Sequence, residues 1–240
     1  MEQKRLLSLV RQAVDEYGMI EDGDRIAVGI SGGKDSLTLL YALNGLRQFY
    51  PKKFEIEAVT VDLGFSMDYS GVQELCDKLG VHYTVINTQI KKIVFDERKE
   101  KNPCSLCAKL RKGALNDGIK ELGCNKVAYA HHKDDCVNTM LLSLIYEGRF
   151  QSLEPLTELV RSGITVIRPL IFVNEADIKG FMNKHALPVV ENKCPADGAT
   201  KREYVGELVK QINKESPGVR DRLFSAIEKR YEELGFKRGL

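Results

Sequence analysis

The segment Ser31–Ser36, with the sequence SGGKDS, has the composition of an anion-binding loop. It lies between an apolar run that predicts a strand and a segment with helical periodicity. Its two glycines let the backbone approach an anion, and the following helix directs unpaired N–H groups and its positive dipole end at that anion. Lys34 adds a positive charge, whereas Asp35 suits such a site only when a metal ion accompanies the phosphates. The spacing is neither that of a Walker A loop nor that of a dinucleotide fingerprint, so the loop predicts a phosphate site of another type.

Cysteines form the second candidate centre. Cys104 and Cys107 make a C-x-x-C at the start of a predicted helix, where two thiolates can bind one metal ion or cluster. Zinc, an iron–sulfur cluster, dithiol redox chemistry and coincidence are the four interpretations, and the second ligand pair that zinc requires is absent. Cys194 lies beyond the fifth predicted strand and can return to the same sheet edge. Together the three thiolates would hold a [4Fe–4S] cluster with one iron open for sulfide or substrate.

The other cysteines suggest packing. Cys76 and Cys124 have the surroundings of small buried hydrophobic residues. Cys136 directly follows an aspartate pair; we expect it to pack as well, with a sulfur-relay role as the alternative.

Strands alternating with helices must position these groups. The pattern predicts an α/β fold with a parallel, five-stranded, doubly wound sheet, whose strands begin near residues 25, 56, 82, 126 and 164. Right-handed crossovers then place the active site at the carboxyl edge of the strands. From Thr200 onward the pattern is only helical, with Pro217-Gly218 between two helices, which predicts a C-terminal helical appendage.

Composition excludes several classes of protein. The chain has 240 residues, 43% hydrophobic and 29% charged, with a net charge of +2 and six cysteines, which excludes disordered, fibrous and disulfide-scaffold proteins. No apolar run has the length of a membrane span and no signal-peptide pattern is present, so we expect a cytoplasmic protein. Charge is uneven, however: residues 91–120 contain nine Lys and Arg against four Asp and Glu. This stretch is either a solvated helix face or the contact for an anionic partner.

The SGGKDS loop resembles that of the PP-loop (N-type) ATP pyrophosphatases, an adenine nucleotide alpha hydrolase-like fold whose members adenylate a carbonyl oxygen and release pyrophosphate. The sequence AHHKDD at 130–135 resembles the GHxxDD element of that family. The resemblance implies ATP and Mg²⁺ as cofactors, with Asp135 contacting ATP through Mg²⁺ and Asp134 beside it; a helix N-cap is the other interpretation of this pair. The nucleotide-binding residues that it implies are Gly29, Ser31, Gly32, Gly33, Lys34, Asp35, Ser36, Asp62, Leu63, Ala130 and Asp135.

The combination of SGGKDS, PCSLC at 103–107 and the late Cys194 is similar to the TtcA/TtuA group of tRNA thiolation enzymes, and to its 2-thiocytidine synthases more than to its uridine thiolases. This resemblance implies ATP-dependent tRNA thiolation, with Cys104, Cys107 and Cys194 holding a [4Fe–4S] cluster. It implies tRNA and a sulfur donor, a cysteine desulfurase or free sulfide, as partners, and a homodimer as one assembly. Its catalytic residues would be Lys34, Asp35, Arg111 and Asp135; Arg111 lies one helical turn after Cys107, and a surface role is the alternative.

On this basis we divide the chain into an N-terminal helix (1–20), a PP-loop domain with a C-x-x-C insertion (21–190) and a C-terminal helical segment (191–240) that carries the third cysteine. Other functions stay open: a uridine thiolase, a persulfide-relay thiolase, a lysidine-synthase-like ligase, or a non-catalytic nucleotide sensor.

Overall fold

A six-stranded sheet forms the centre of the molecule in the computed structural model, which describes residues 1–98, 103–191, 193–194 and 201–236. The strands are β1 (Asp24–Gly29), β2 (Phe54–Asp62), β3 (His82–Asn87), β4 (Lys126–Ala128), β5 (Leu156–Leu159) and β6 (Ile164–Ile167). Their order in the sheet is β3-β2-β1-β4-β6-β5. All neighbouring strands are parallel except β5, which runs antiparallel to β6.

Within these described ranges, eight α-helices surround the sheet. They are α1 (Gln3–Tyr17), α2 (Lys34–Arg47), α3 (Ser70–Leu79), α4 (Pro103–Glu121), α5 (Lys133–Glu147), α6 (Glu175–His185), α7 (Lys201–Glu215) and α8 (Val219–Glu233). A π-helical turn, Lys92–Glu97, precedes α4. The first helix, α1, shows how the local sequence sets an element. Its apolar residues recur on one face, which is buried, and Gly18 ends the helix with a left-handed φ of 59°.

Alternate side chains of β1 enter two different cores. Ile26 and Val28 pack with α1, α2, α5 and α6, whereas Ala27 packs on the other face with α4. Because successive side chains of a strand point to opposite faces, one buried strand contributes to both layers. The result is a three-layer arrangement, helices on both sides of a mostly parallel sheet.

The terminal helices share the larger core. Val10 of α1 and Phe224, Ile227 and Tyr231 of α8 belong to the same buried cluster as the sheet residue Val28. None of the helices in the described ranges combines the length and the apolar composition needed to cross a membrane.

The predicted α/β fold, with its parallel sheet and C-terminal helices, is confirmed. The structure adds two elements that the sequence did not reveal, the π-helical turn and the antiparallel edge strand β5. Strand β5 has only four residues, three of them half-buried and one exposed, so its sequence lacks the apolar run of a central strand. Residues 99–102, 192, 195–200 and 237–240, which include part of the predicted basic stretch and of the predicted C-terminal segment, lie outside the described residues.

Candidate active site

Hydrogen bonds of its own serines stabilise the loop after β1. Ser31 and Ser36 place their Oγ atoms 3.2 Å apart, and the Ser36 Oγ donates to the Gly33 carbonyl at 2.9 Å. The N-cap residue of α2, Gly33, gives no side-chain hydrogen bond to the helix. The first N–H groups of α2 therefore have no intrahelical acceptor and are directed at the space where an anion would bind.

Gly32 is required by its position. Its φ is +81°, and a Cβ there would lie 2.7 Å from the Cβ of Val190. The Val190 N–H also donates to the Gly32 carbonyl at 2.9 Å, and the Lys193 ammonium donates to the Ser66 carbonyl at 2.9 Å. The chain after α6 is thus attached across the loop, which brings Cys194 to the carboxyl edge of the sheet.

Lys34 lies between two carboxylates. Its Nζ is 3.1 Å from Asp35 and 3.3 Å from Glu175 of α6. Burial alone would lower the pKa of Lys34, but the two carboxylates outweigh burial and raise it. Lys34 therefore carries a fixed positive charge at the start of α2.

The aspartate pair at the start of α5 is divided between two tasks. Asp134 is buried; it accepts a hydrogen bond from the Glu175 N–H at 2.8 Å and pairs with Arg220 of α8 at 2.7 Å. Asp134 therefore joins the starts of α5 and α6 to the C-terminal helices.

Asp135 is more accessible, with 20% of its side chain exposed. It accepts from the His132 N–H at 3.0 Å and pairs with Arg202 of α7 at 3.0 Å. Burial raises the pKa of Asp135, but His132 and Arg202 outweigh burial, and the pKa lies below its usual range. Asp135 is thus an ionised carboxylate, in which state it can bind a cation.

Two cavities meet at this edge of the sheet. The first, of about 620 Å³, we call the cysteine cavity; it is lined by Gly29, Ile30, Ser31, Asp35, Ser36, Val59, Val61, Phe95, Pro103, Cys104, Cys107, Ala108, Arg111, Lys112, Leu115, Tyr129, Ala130, His131, Asp135 and Cys194. The second, of about 310 Å³, we call the charged cavity; it is lined by Lys34, Asp35, His132, Asp134, Asp135, Asn138, Glu175, Lys179, Arg202, Glu203, Gly206, Glu207, Lys210 and Arg220. Asp35 and Asp135 line both.

The three candidate ligand cysteines all line the cysteine cavity. Burial raises the pKa of Cys107, Arg111 lowers it, and the neighbouring Cys194 and Cys104 raise it further, so both of these thiols lie within electrostatic range of Cys107. Within the described ranges, no group of three or more His, Cys, Asp or Glu side chains is arranged as a complete site for a single metal ion.

The other three cysteines are buried and line neither of these two cavities. Burial raises the pKa of Cys76 and of Cys124 to about 11 and that of Cys136 to about 12. Such thiols are protonated at neutral pH, in keeping with the predicted packing roles.

Most predicted nucleotide residues lie at these cavities. Lys34 lines only the charged cavity, and Arg111 lines only the cysteine cavity. Four predicted residues line neither: Gly32, Gly33, Asp62 and Leu63. Asp62 instead accepts a hydrogen bond from the Gly64 N–H at 3.1 Å, and the Leu63 carbonyl accepts one from the Lys91 N–H at 2.8 Å.

Several residues of the cysteine cavity were not predicted as site residues, among them two with rings at the end of β4. Tyr129 and His131 follow β4, with ring centroids 5.8 Å apart. Burial and the Arg168 guanidinium lower the pKa of His131 to about 4. Arg168 Nε donates to His131 Nδ1 at 3.3 Å, so the imidazole is neutral and carries its proton on Nε2. The neighbouring His132 lines the charged cavity.

Arg202 and Arg220 were also missed. They are far from the motifs in sequence, and only the packing of α7 and α8 on α5 brings them to the aspartate pair. No pattern within the chain signals this contact.

Comparison with known proteins gives consistent results. The sequence matches the family described as the PP-loop domain over residues 2–212. It is 38% identical to the tRNA-cytidine(32) 2-sulfurtransferase of Pelobacter propionicus over 229 residues, which cover 93% of this chain and 85% of that protein. The enzymes of the same name from Geobacter sulfurreducens and Escherichia fergusonii are 38% and 37% identical, covering 93% and 94% of this chain and 89% and 74% of those proteins.

A solved structure has a similar fold. The U34-tRNA thiolase NcsA from Methanococcus maripaludis, described with its [4Fe-4S] cluster, gives a TM-score of 0.76 at 23% identity and covers 95% of this chain and 78% of that one. At this identity the likeness establishes the shared fold.

Proposed function

The chain belongs to the PP-loop family and to its branch of tRNA-cytidine(32) 2-sulfurtransferases, and we propose that it converts a cytidine of tRNA to 2-thiocytidine with consumption of ATP. One observation carries this proposal: Ser31, Asp35 and Ser36 of the loop and three cysteines, distant from them in sequence, line one cavity. A PP-loop ligase without sulfur chemistry has no use for three cysteines beside its nucleotide loop. We further propose that the enzyme acts in the cytoplasm.

The charged cavity receives the phosphates. Lys34 and the N-terminus of α2 supply positive charge, and Asp35 and Asp135 would hold Mg²⁺ against the phosphate oxygens. In all, six carboxylate side chains and five Lys or Arg side chains line this cavity, and Mg²⁺ would offset the small excess of negative charge. Arg202, now paired with Asp135, is placed to contact a phosphate when Mg²⁺ takes that carboxylate.

The target base enters the cysteine cavity. Its walls are largely apolar, with Val59, Val61, Phe95 and Tyr129 among them, so water is partly excluded from the reacting atoms. The O2 oxygen of cytidine attacks the α-phosphorus of ATP, pyrophosphate leaves toward the charged cavity, and the base carries AMP on its oxygen. The neutral His131 donates a hydrogen bond, and Arg111 supplies a cation for the charge that develops.

Sulfur then replaces the oxygen. A sulfide nucleophile attacks C2, the C–O bond breaks, and AMP leaves with its electron pair; loss of a proton gives the 2-thio base. A cysteine desulfurase or free sulfide would supply the sulfur. The same reaction without adenylation would expel a poor leaving group, which is why ATP is needed.

The residues present fit an iron–sulfur cluster. Cys104, Cys107 and Cys194 are three thiols on one cavity, and each would bind a different iron, so they must lie farther apart than ligands around one ion. A [4Fe–4S] cluster held by these three cysteines would have one iron without a protein ligand, and it would supply a place for the sulfur nucleophile. Burial raises the pKa of Cys107, and Arg111 partly offsets that effect; a bound metal cluster would supply the further positive charge that a thiolate ligand requires.

The test uses protein purified without oxygen, unmodified tRNA, Mg-ATP and sulfide. We expect 2-thiocytidine among the digested nucleosides by mass spectrometry, with AMP and pyrophosphate released in equal amounts. A brown protein that contains iron and sulfide is expected. Absence of a thionucleoside despite an intact cluster would refute the proposal. If a colourless, iron-free protein still thiolates tRNA, the cluster mechanism is wrong and a persulfide relay takes its place.

A further inference from the structure

A groove on the outer side of α4 is not used by the chemistry described above. It is lined by residues Lys112, Gly113, Asn116, Asp117 and Lys120 of α4 and by residues 158–162 of the β5–β6 hairpin, and its volume is about 460 Å³. We call it the α4–hairpin groove. Lys112 lines both this groove and the cysteine cavity, so the two are neighbours along one helix.

The groove presents cations that the protein does not neutralise. Lys112, Lys120 and Arg161 are exposed, and none of them forms an ion pair within the described part of the chain. Lys112, Asn116 and Lys120 are four residues apart and therefore share one face of α4. Two carboxylates, Asp117 and Glu158, also line the groove, so the cations exceed the anions by one.

No contact among the described residues requires a glycine at position 113. It lies inside α4, where glycine is less favourable than alanine, yet a Cβ at this position would meet nothing within 4 Å. The other glycine of this helix, Gly118, differs, since a Cβ there would lie 2.2 Å from Ile86. Gly113 keeps the floor of the groove free for a close approach from outside.

The tip of the hairpin adds an exposed apolar side chain to the groove. Val160, at the hairpin tip, is 92% exposed, and Arg161 is next to it. An exposed apolar tip beside unpaired cations suits a partner with base faces and phosphates, which is the chemistry of RNA.

We propose that the α4–hairpin groove binds the sugar–phosphate backbone of the RNA substrate beside the nucleotide that enters the cysteine cavity. This inference rests on the proposed function. Lys112, Lys120 and Arg161 contact phosphates, and Gly113 lets the backbone approach α4. The basic stretch seen in the sequence is then part of the binding surface and not only a solvated helix face.

The experiment measures tRNA binding by fluorescence anisotropy at several salt concentrations, without ATP. For the triple variant K112A/K120A/R161A we expect weaker binding and a slope of log K against log salt that is smaller in magnitude by about 2 to 3, since three phosphate contacts are lost. The control, K78A/K214A/K229A, removes three exposed lysines that line neither the groove nor the cysteine cavity, and should keep the wild-type slope. Equal slopes for the triple variant and wild type would overturn the proposal.

A second variant tests the groove without changing charge. Gly113→Gln places a long side chain where there is open space, so the fold should tolerate it while tRNA affinity falls; the melting temperature checks the fold. Wild-type affinity in a folded Gly113→Gln protein would contradict the proposed close approach. If wild type makes no thionucleoside but these variants still lose tRNA binding, the groove stands and the proposed reaction fails. If wild type thiolates and both variants bind normally, the groove proposal alone fails.

Discussion

The two cavities share Asp35 and Asp135 and otherwise differ in construction. The cysteine cavity is built from the carboxyl ends of the strands and from α4, and much of its wall is apolar. The charged cavity is built from the starts of α2, α5, α6 and α7 and from α8, and nearly all of its lining residues are ionisable or polar. The boundary between the two is therefore a pair of carboxylates.

Charge is handled differently on the two sides of this boundary. In the charged cavity, Arg220 pairs with Asp134, Arg202 with Asp135 and Lys34 with Glu175, so its charges are compensated before any ligand binds. In the cysteine cavity, Arg111 forms no ion pair with any residue that the structure describes. One side is organised to exchange ion-pair partners with a magnesium–phosphate ligand, and the other keeps a cation available beside the thiols.

This difference predicts that mutation can separate adenylation of the base from sulfur transfer. We expect the largest loss of activity from substitutions in the cysteine cavity. Replacing Cys104, Cys107 or Cys194 by alanine should abolish thiolation, because each removes one proposed cluster ligand, while ATP still binds in the charged cavity. Nucleoside mass spectrometry, iron content and calorimetric ATP binding measure the three properties. Cys76→Ala and Cys124→Ala are the matched controls and should thiolate normally, since both thiols are buried away from the cavity. Thiolation by a Cys194→Ala protein would remove that residue from the proposed ligand set.

On the charged side we expect a smaller loss. Lys34→Ala removes one charge that stabilises the leaving pyrophosphate, which typically lowers the rate by about 10²-fold. Iron content should not change, because Lys34 does not line the cysteine cavity. Pyrophosphate release under single-turnover conditions is the measurement. Lys179→Ala, which removes a more exposed lysine of the same cavity, should have a much weaker effect, and equal losses for both would mean that general charge and not position matters.

The smallest expected effect is a loss of folding stability at acidic pH. His131 has a pKa of about 4 in the folded protein, below the ordinary value of about 6.5 for the unfolded chain. The unfolded state therefore binds a proton first as pH falls, so the stability that the neutral histidine contributes is present above pH about 6.5 and is lost progressively toward pH 4. The expected loss between pH 7 and pH 5 is about 2 kcal/mol.

Urea unfolding at the two pH values measures this loss, and His131→Asn, which keeps an acceptor for Arg168, should reduce it. Asp135 differs from His131, because His132 and Arg202 outweigh the effect of burial on it. The pKa of Asp135 lies below its usual range, so its carboxylate stays charged. An imidazole resonance of His131 that titrates near pH 6.5 would contradict the buried, neutral state.

Local patterns were sufficient for most of the fold. The amphipathic α1 and the buried strands β1 and β2 follow from periodicity and apolar runs, because these elements bury the residues that define them. The edge strand β5 was not predictable in this way. Its pairing with β6 is a long-range contact, and a half-exposed strand of four residues has almost no signal of its own.

The sequence by itself determined much of the chemistry: a phosphate loop, an aspartate pair and a C-x-x-C are recognisable because each depends on residue types at short, fixed spacing. Tertiary structure alone decided how these groups are divided between two cavities and which of them reach a partner. Arg202 and Arg220 meet the aspartates only because α7 and α8 pack on α5, and Cys194 reaches the loop only because Val190 is bonded to Gly32. Such contacts join residues far apart in the chain. Their energy comes from packing and charge between different helices and strands, so no spacing of neighbouring residues in the sequence predicts them.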